Sequence, residues 1–312
     1  MLWRCCHYLK AWLRNLLSLQ ALSAILGSFG ALWLAIEITT FFFANTILFG
    51  STTVPDAIRN VWFWFGLAGL VTAAWLCRPR LAVSHNLSGR DVTIEIAVGD
   101  LFSFPGALII GSNTTFDTRI SRDLISERSV QGIFTNKYYQ GETQLDAELS
   151  ASLGSVRGQD LQGHRVGKKT EYPMGTCVRL NPKQRVGYFL AIAEINEHGA
   201  ASGTFNDLKE SLAQLWEFIG RRGTKEPLVM PVLGTGFSRL PQPREEVIRE
   251  ILQSFVAACS EKTFADKLTI VITPHDMAKY RISLDELGSF LRHECIYTSF
   301  STGKQHAVGT PV

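Results

Sequence analysis

Between residues 16 and 36 the chain carries no charged side chain. As a helix at about 1.5 Å per residue, these 21 residues rise roughly 31 Å, the thickness of a bilayer's hydrocarbon core. A second uncharged run of 18 residues, 60–77, lies between Arg59 and Arg78 and rises about 27 Å. Trp12 precedes the first run, and Trp62, Trp64 and Trp75 lie toward the ends of the second, the level that indole rings favour at a membrane surface. The first run is too long for the apolar core of a signal peptide and is followed by another. A buried helical hairpin of a soluble protein is the competing reading. The expectation is a two-helix transmembrane hairpin within residues 1–80, with helices at about 16–40 and 59–77. Arg4, Lys10 and Arg14 precede it and Arg78, Arg80 and Arg90 follow it, while the connecting segment 49–60 holds only Asp56 and Arg59. The positive-inside rule then places both termini in the cytoplasm, with a short external turn near Pro55.

The apolar helices also carry a pattern. Ser23, Gly27, Ala31 and Ala35 recur every four residues, as do Gly69 and Ala73. Small residues at this spacing let helix backbones approach closely. Glu37, at the outer end of the first run, either reaches the interface or lines an aqueous path in an oligomer.

After residue 80 the texture changes. Residues 81–90 read as a polar linker, 91–300 as one α/β domain and 301–312 as a frayed tail. Apolar, β-branched runs at 92–98, 107–110, 177–180, 188–195, 228–233 and 268–273 suit strands buried on both faces. Amphipathic helices are expected around Leu208, Leu212, Leu215, Trp216 and Ile219, and around Val247, Ile251, Phe255 and Cys259. Alternating strands and helices imply a largely parallel sheet with helices on both sides. With 31 Lys+Arg against 28 Asp+Glu, the chain lacks the basic excess of a nucleic-acid binder, so no nucleic-acid partner is expected. Its six cysteines (Cys5, Cys6, Cys77, Cys177, Cys259, Cys295) form no C-x-x-C pair and read as free thiols of a reducing compartment. Neither a metal site nor a cofactor is expected.

In open α/β sheets ligands sit beyond the carboxyl ends of the strands. Gly99-Asp100-Leu101 follows the first run, Asn113 and the stretch Thr114-Thr115-Phe116-Asp117-Thr118-Arg119 follow the second, and Gly234-Thr235-Gly236-Phe237-Ser238 follows the fifth. Glycines around a small hydroxyl residue expose several N–H groups to one point, a cradle for phosphate oxygens, though a plain strand-to-loop turn gives the same letters. Asp100 is either an acceptor for an adenine amino group or an exposed turn carboxylate. Asn113 is either a partner of a ribose hydroxyl or a left-handed turn residue. His275-Asp276, after the last run, reads as a loop pair rather than a catalytic dyad, and the basic stretch 163–169 reads either as a solvated loop or as a contact for lipid headgroups.

Together these turns resemble the macro domain, an ADP-ribose-binding fold. The family's Gly-Asp turn is matched by Gly99-Asp100-Leu101, the last Asn of its second-strand motif by Asn113, and its phosphate loop by Gly234-Thr235-Gly236-Phe237 after Pro231. The resemblance implies a three-layer α/β/α domain with a mixed, mostly parallel sheet. It also implies an aspartate on adenine, loop amides on the diphosphate and Phe237 near the distal ribose, with Leu101, Phe116, Arg119 and Ser238 as further ligand-binding candidates. Many macro domains have a Gly-Gly-Gly loop after the Asn, which hydrolytic members use. Here 114–119 holds no glycine, so its backbone cannot approach a phosphate as closely; Arg119 either compensates with a charge-assisted contact or is a solvated arginine at a helix start. The inserted segment 121–163 is expected to form a helical lid.

Two membrane helices followed by such a domain resemble the effectors of type II Thoeris bacterial anti-phage defence. That resemblance implies a non-enzymatic membrane effector in the bacterial inner membrane. Its partners would be a TIR-domain enzyme, met only through its product, an ADP-ribose-derived signal (a histidine conjugate), the lipid bilayer and further copies of itself. Ligand binding would then trigger oligomerisation and membrane disruption. The alternative is a membrane-tethered macro-domain ADP-ribosyl hydrolase.

Overall fold

The computed structural model describes residues 12, 19–49, 52–60, 62–76, 78, 80–121, 124–162, 167–182, 185–195, 201–234 and 240–297. Outside them lie Arg4, Lys10, Arg14, Cys5, Cys6, Cys77, the basic stretch 163–166, the loop residues Thr235, Gly236, Phe237 and Ser238, and the tail 301–312. The chain divides into two units, Met1–Arg80 and Leu81–Val312.

In the first unit, helix α1 (Leu19–Phe42) leads through the short antiparallel pair β1 (Ile47–Phe49) and β2 (Thr52–Thr53) to α2 (Val54–Asn60) and α3 (Trp62–Leu76). Pro55 therefore stands in the first turn of α2, where its missing N–H costs nothing, and not in an open turn. Among the described residues one helix is long and apolar enough to cross a membrane by length and composition, over Ile25–Phe42; Gly66–Leu76 is a shorter apolar helix. The two small-residue patterns have separate fates. Gly69 lies where a Cβ would come within 3.2 Å of the Phe29 ring and 3.3 Å of Leu32, so its missing side chain lets α1 and α3 close on each other, with Ala73 buried beside it. Ser23, Gly27, Ala31 and Ala35 are all exposed, and nothing lies within 4 Å of a Cβ on Gly27. The Trp12 indole donates to the Ala74 carbonyl at 3.0 Å.

The second unit is a three-layer α/β/α domain. Its strands are β3 (Ala82–Asn86), β4 (Thr93–Val98), β5 (Ala107–Asn113), the short β6 (Gln159–Asp160) and β7 (Thr170–Glu171), β8 (Cys177–Leu180), β9 (Gly187–Ile195), β10 (Ala201–Ser202), β11 (Leu228–Pro231) and β12 (Lys267–Ile272). Its helices are α4 (Val130–Tyr138), α5 (Glu142–Leu153), α6 (Phe205–Arg222), α7 (Arg244–Glu261), α8 (Pro274–Tyr280) and α9 (Leu284–Tyr297). The eight-stranded sheet runs β10-β9-β5-β11-β12-β4-β3, with β8 also on β9. Its centre, β9-β5-β11-β12-β4, is parallel; β3, β8 and β10 join antiparallel.

Alternation along the strands builds both faces. Ala107 and Ile109 of β5, Tyr188, Leu190 and Ile192 of β9, and Leu268, Ile270 and Ile272 of β12 pack with α6, α7 and α9. The intervening Leu108, Ile110, Phe189, Ala191 and Val271 pack with α4 and α5. That is why these strands read as continuous apolar runs. Helix α6 starts with a full capping box, Thr204 and Asp207 bonding each other's backbone N–H.

Two sequence expectations change. Residues 82–86, assigned to a polar linker, form an edge strand paired with β4 over Ala82↔Ala97 to Asn86↔Thr93. An edge strand shows one long side to water, and its alternation of half-buried Val83 and His85 with exposed polar neighbours mimics a linker. The segment 121–163 is not a free lid either. Leu145, Leu149 and Leu153 of α5 are buried in the second core, and Tyr139 Oη donates to Glu148 at 2.7 Å.

Candidate ligand cavity

Strand β5 ends at Asn113, and the chain there ties itself into a knot. The Asn113 side-chain oxygen accepts from the Asp117 N–H at 3.0 Å, and its Nδ2 donates to Asp117 Oδ2 at 3.0 Å. Thr115 Oγ1 lies 2.7 Å from Asp117 Oδ2 and 3.2 Å from Asn113 Oδ1, so its single proton serves the carboxylate. Phe116 takes a left-handed φ of +48° to let the turn close. Asp117, 1% exposed, also accepts from the Lys168 N–H at 2.7 Å on Oδ1. Gly167, φ +115°, passes so near that a Cβ would sit 2.5 Å from Asp117 Oδ1. The β6–β7 hairpin thereby docks on the knot, helped by Thr114 Oγ1 donating to Glu171 at 2.7 Å and by an ion pair of Lys168 with Asp146. The described end of the basic loop is thus anchored rather than free in solvent.

Helix α4 begins against the same knot. Ser129 caps it by accepting from the Gly132 N–H at 3.0 Å. The Gln131 amide donates to the Asp117 carbonyl at 2.6 Å, and Ser112 Oγ donates to Gln131 Oε1 at 3.4 Å.

The carboxyl ends of β5, β9, β11 and β12, with the first turns of α4, α7 and α8, line a cavity of about 380 Å³. Its polar wall includes Ser112, Asn113, Ser126, Arg128, Ser129, Gln131, Arg244, Thr273 and Asp276; Gly111, Val232, Leu233 and Gly234 supply backbone and apolar surface. Gly234 is left-handed at φ +69°, where a side chain would be strained, and a Cβ there would displace the Leu240 side chain, so the turn favours glycine. The Arg244 guanidinium lies 4.1 Å over the Tyr280 ring and donates to its hydroxyl at 3.2 Å.

Of the candidates drawn from sequence, Asn113 and Gly234 share the cavity wall. Asp100 and Leu101 do not line it. The exposed Asp100 carboxylate caps a short 3-10 turn (Leu101–Ser103), accepting from the Phe102 N–H at 3.2 Å, and Leu101 is buried. Phe116 is wholly buried against Tyr172, with ring centroids 5.9 Å apart, because the left-handed turn swings it into the core rather than toward a ligand. Arg119 is exposed and off the wall. Sequence reasoning missed Arg128, Gln131, Arg244 and Asp276. The first three stand before or at helix starts with no motif. Asp276 was within reach of the strand-end rule, since it follows β12 by four residues.

Cys177, Cys259 and Cys295 are free and buried. Burial pushes the Cys259 thiol up to about 12 and that of Cys295 to about 11, so these cysteines supply no thiolate near neutral pH. Among the described residues no group of three or more His, Cys, Asp or Glu is placed to hold a metal ion.

The family model for the macro domain of Thoeris protein ThsA matches residues 94–273, the stretch from β4 to the end of β12 that carries every strand end of the cavity. The chain belongs to this family. Thoeris protein ThsA of Bacillus amyloliquefaciens (strain Y2) is 23% identical over 205 residues, 63% of this chain and 67% of that protein. Among solved structures, the Oceanobacillus iheyensis macrodomain with MES bound has a TM-score of 0.47 at 17% identity, covering 68% of this chain and 98% of its own. The same macrodomain with ADP gives 0.44 at 17% identity, over 68% and 94%. Within this ThsA-type macro domain the Asn113–Asp117 knot and Gly234 bracket one hollow from two neighbouring strands, β5 and β11.

Proposed function

We propose that the macro unit binds an ADP-ribose-derived nucleotide in this cavity, and that binding drives the N-terminal helices of a membrane-anchored anti-phage effector to assemble and breach the bilayer. The observation that carries the reading is the cavity itself, whose strand ends all lie inside the family's matched span. Its wall crosses β9, β5, β11 and β12 in sheet order, three strand spacings or roughly 14 Å, long enough for an extended nucleotide with a second sugar. Volume agrees, since small-ligand sites run from about 300 Å³ upward. Arg128 and Arg244 supply cationic groups for phosphate oxygens, and the Gly234 turn supplies close backbone.

The signal we envisage is a histidine conjugate of ADP-ribose made from NAD by a TIR-domain enzyme. The protein acts as a binder rather than a hydrolase. In support, Asn113 holds Asp117 with both ends of its amide, and the 114–119 stretch has no glycine to bring its backbone onto a phosphate. The chain would sit in the bacterial inner membrane with both termini cytoplasmic. The exposed Ser23, Gly27, Ala31 and Ala35 face of α1 is the surface through which copies would meet once the macro units cluster.

Calorimetry of the full chain in detergent with ADP-ribose and its histidine conjugate tests the binding. Saturable binding that is lost in Gly234→Glu, with the far-UV circular dichroism of the fold retained, supports it; no binding of either compound refutes it. Release of a dye from proteoliposomes only when ligand is added tests the membrane step, and a bound ligand without release refutes that step.

A further inference from the structure

We propose that the outer edge of the sheet is an interface between copies of this chain: β3 pairs antiparallel with β3 of a second copy about a two-fold axis at Ser84, joining two eight-stranded sheets into one. This rests on the self-associating membrane anchor proposed above and not on the nucleotide. The bonds that frame the strand fix which groups it leaves open. The Val98 N–H donates to the Leu81 carbonyl at 2.7 Å and the Leu87 N–H to the Val92 carbonyl at 2.8 Å, and the register between them runs without a shift. Bonded residues alternate in an antiparallel pair, so 81, 83, 85 and 87 spend their peptide groups on β4. The exposed Ala82, Ser84 and Asn86 turn their N–H and carbonyl groups outward, and among the described residues nothing pairs with them.

Sheet edges are ordinarily blunted by lysine, proline, a bulge or a very short strand. β3 has five residues and none of the first three, whereas the sheet order ends on its other side in β10, two residues long. Three outward residues centred on Ser84 are also self-complementary. Ser84 exchanges both bonds with Ser84 of the second copy and Ala82 exchanges with Asn86, so each N–H of one copy meets a carbonyl of the other.

The helix beside the edge obeys the same axis. α9 packs on β3, reaches β4 and runs in the direction of β3: Gly288 lies against Val83, and the Cys295 carbonyl accepts from the Ser88 N–H at 2.9 Å. Leu284, Leu287, Leu291 and Cys295 form its buried face, while Phe290 lies under Arg249 of α7 and Glu294 accepts from Gln253 of α7. Asp285, Ser289, Arg292 and Ile296, at helical spacing on the flank away from α7, are exposed. With the axis at Ser84, beside Gly288, two α9 helices run antiparallel across it. A helix lying over both strands then stands roughly 10 Å from its twin, a packing distance for helices. Asp285 and Arg292 lie one turn to either side of the axis, so each meets the opposite charge on the second copy.

Chain continuity points to a second copy as the occupant. β3 begins two residues after the first unit ends at Arg80, so copies anchored in one bilayer carry this edge on a short tether at high effective concentration. The cavity is lined by β9, β5, β11 and β12, on the far side of β4, so pairing neither fills it nor needs its ligand.

Disulfide mapping of the full chain in proteoliposomes, with copper phenanthroline as oxidant, tests the register. Antiparallel pairing puts the two Ser84 Cα atoms about 5.5 Å apart, within reach of a disulfide, and the two Ala82 Cα atoms roughly 13 Å apart. Ser84→Cys should therefore cross-link to itself at least about tenfold more than Ala82→Cys or Asn86→Cys does, while these last two should cross-link to each other when mixed. Mass spectrometry of the cross-linked peptides separates these bonds from those of the native cysteines. Ser84→Pro removes an outward N–H and no bond to β4, so it should keep the melting temperature and cut the mixed 82–86 cross-link about tenfold. In the Ser84→Cys chain, Arg292→Asp and Asp285→Arg should each lower the cross-link and restore it when the two are mixed. The inference is overturned if Ala82→Cys cross-links to itself as readily as Ser84→Cys, or if a folded Ser84→Pro chain keeps the mixed cross-link; assembly through α1 and nucleotide binding then stand. If light scattering in detergent finds only monomers and no cross-link forms in liposomes, with or without ADP-ribose, the self-association reading falls and this inference with it.

Discussion

Asp117 is the residue whose loss should reach furthest. Its carboxylate accepts from Asn113 Nδ2, Thr115 Oγ1 and the Lys168 N–H at 2.7–3.0 Å, and almost none of it meets solvent. In Asp117→Ala the Thr115 hydroxyl can turn to Asn113 Oδ1, 3.2 Å away, but the Asn113 amide and the Lys168 N–H lose their acceptor. Each stranded buried donor costs about 1–3 kcal/mol, and bonds to a charged acceptor lie toward the top of that range. The expected destabilisation is therefore about 3–5 kcal/mol. For a unit of this size each kcal/mol lowers the melting temperature by about 2–4 °C, so the midpoint should drop by about 6–20 °C. Differential scanning calorimetry of the full chain in detergent reads the effect. Asn113→Ala should be non-additive with Asp117→Ala, since the two residues form one network. A melting temperature within about 1 °C of wild type, or strict additivity of the pair, would refute the idea that this knot holds the cavity wall.

Gly167→Ala should destabilise by about 1–3 kcal/mol and weaken ligand binding, because it forces a side chain at φ +115° into Asp117; an unchanged urea midpoint would count against it. Arg185→Met should cost about 2–4 kcal/mol by releasing the carbonyls of Phe102, Phe104 and Gly106, with Arg185→Lys recovering only part because one ammonium cannot match the fork; equal stability of the lysine variant and wild type would contradict the clamp. Alkaline stability should fall from about pH 9 toward pH 11. The folded state keeps the Cys295 proton up to about 11 and that of Cys259 to about 12, whereas the unfolded thiols ionise near 9, so the unfolded chain binds fewer protons over that window. Midpoints that stay level from pH 9 to 11 would show that these thiols are not buried. At neutral pH, maleimide should label Cys177, Cys259 and Cys295 only after denaturation, as mass spectrometry would report.

What could be read from the sequence was local or periodic. An uncharged run of bilayer length is a property of neighbours along the chain, and it returned as α1. Continuous apolar runs marked the central strands because each residue, whichever face it takes, meets a helix layer. The strand-end rule led to Asn113 and Gly234, since a parallel sheet puts all its carboxyl ends on one rim. Tertiary structure decided the rest. Strand β3 is defined by its pairing with β4 and by α9, whose Gly288 leaves room for Val83, and not by its own pattern. A left-handed turn sent Phe116 into the core, and Arg185, far along the chain, ties down the carbonyls of 102–106. Arg128, Gln131, Arg244 and Asp276 meet only because three helix starts converge on the sheet rim. Periodicity tells which face of an element is buried; which side chains from distant elements share a hollow depends on how those elements pack, and no spacing along the chain records it.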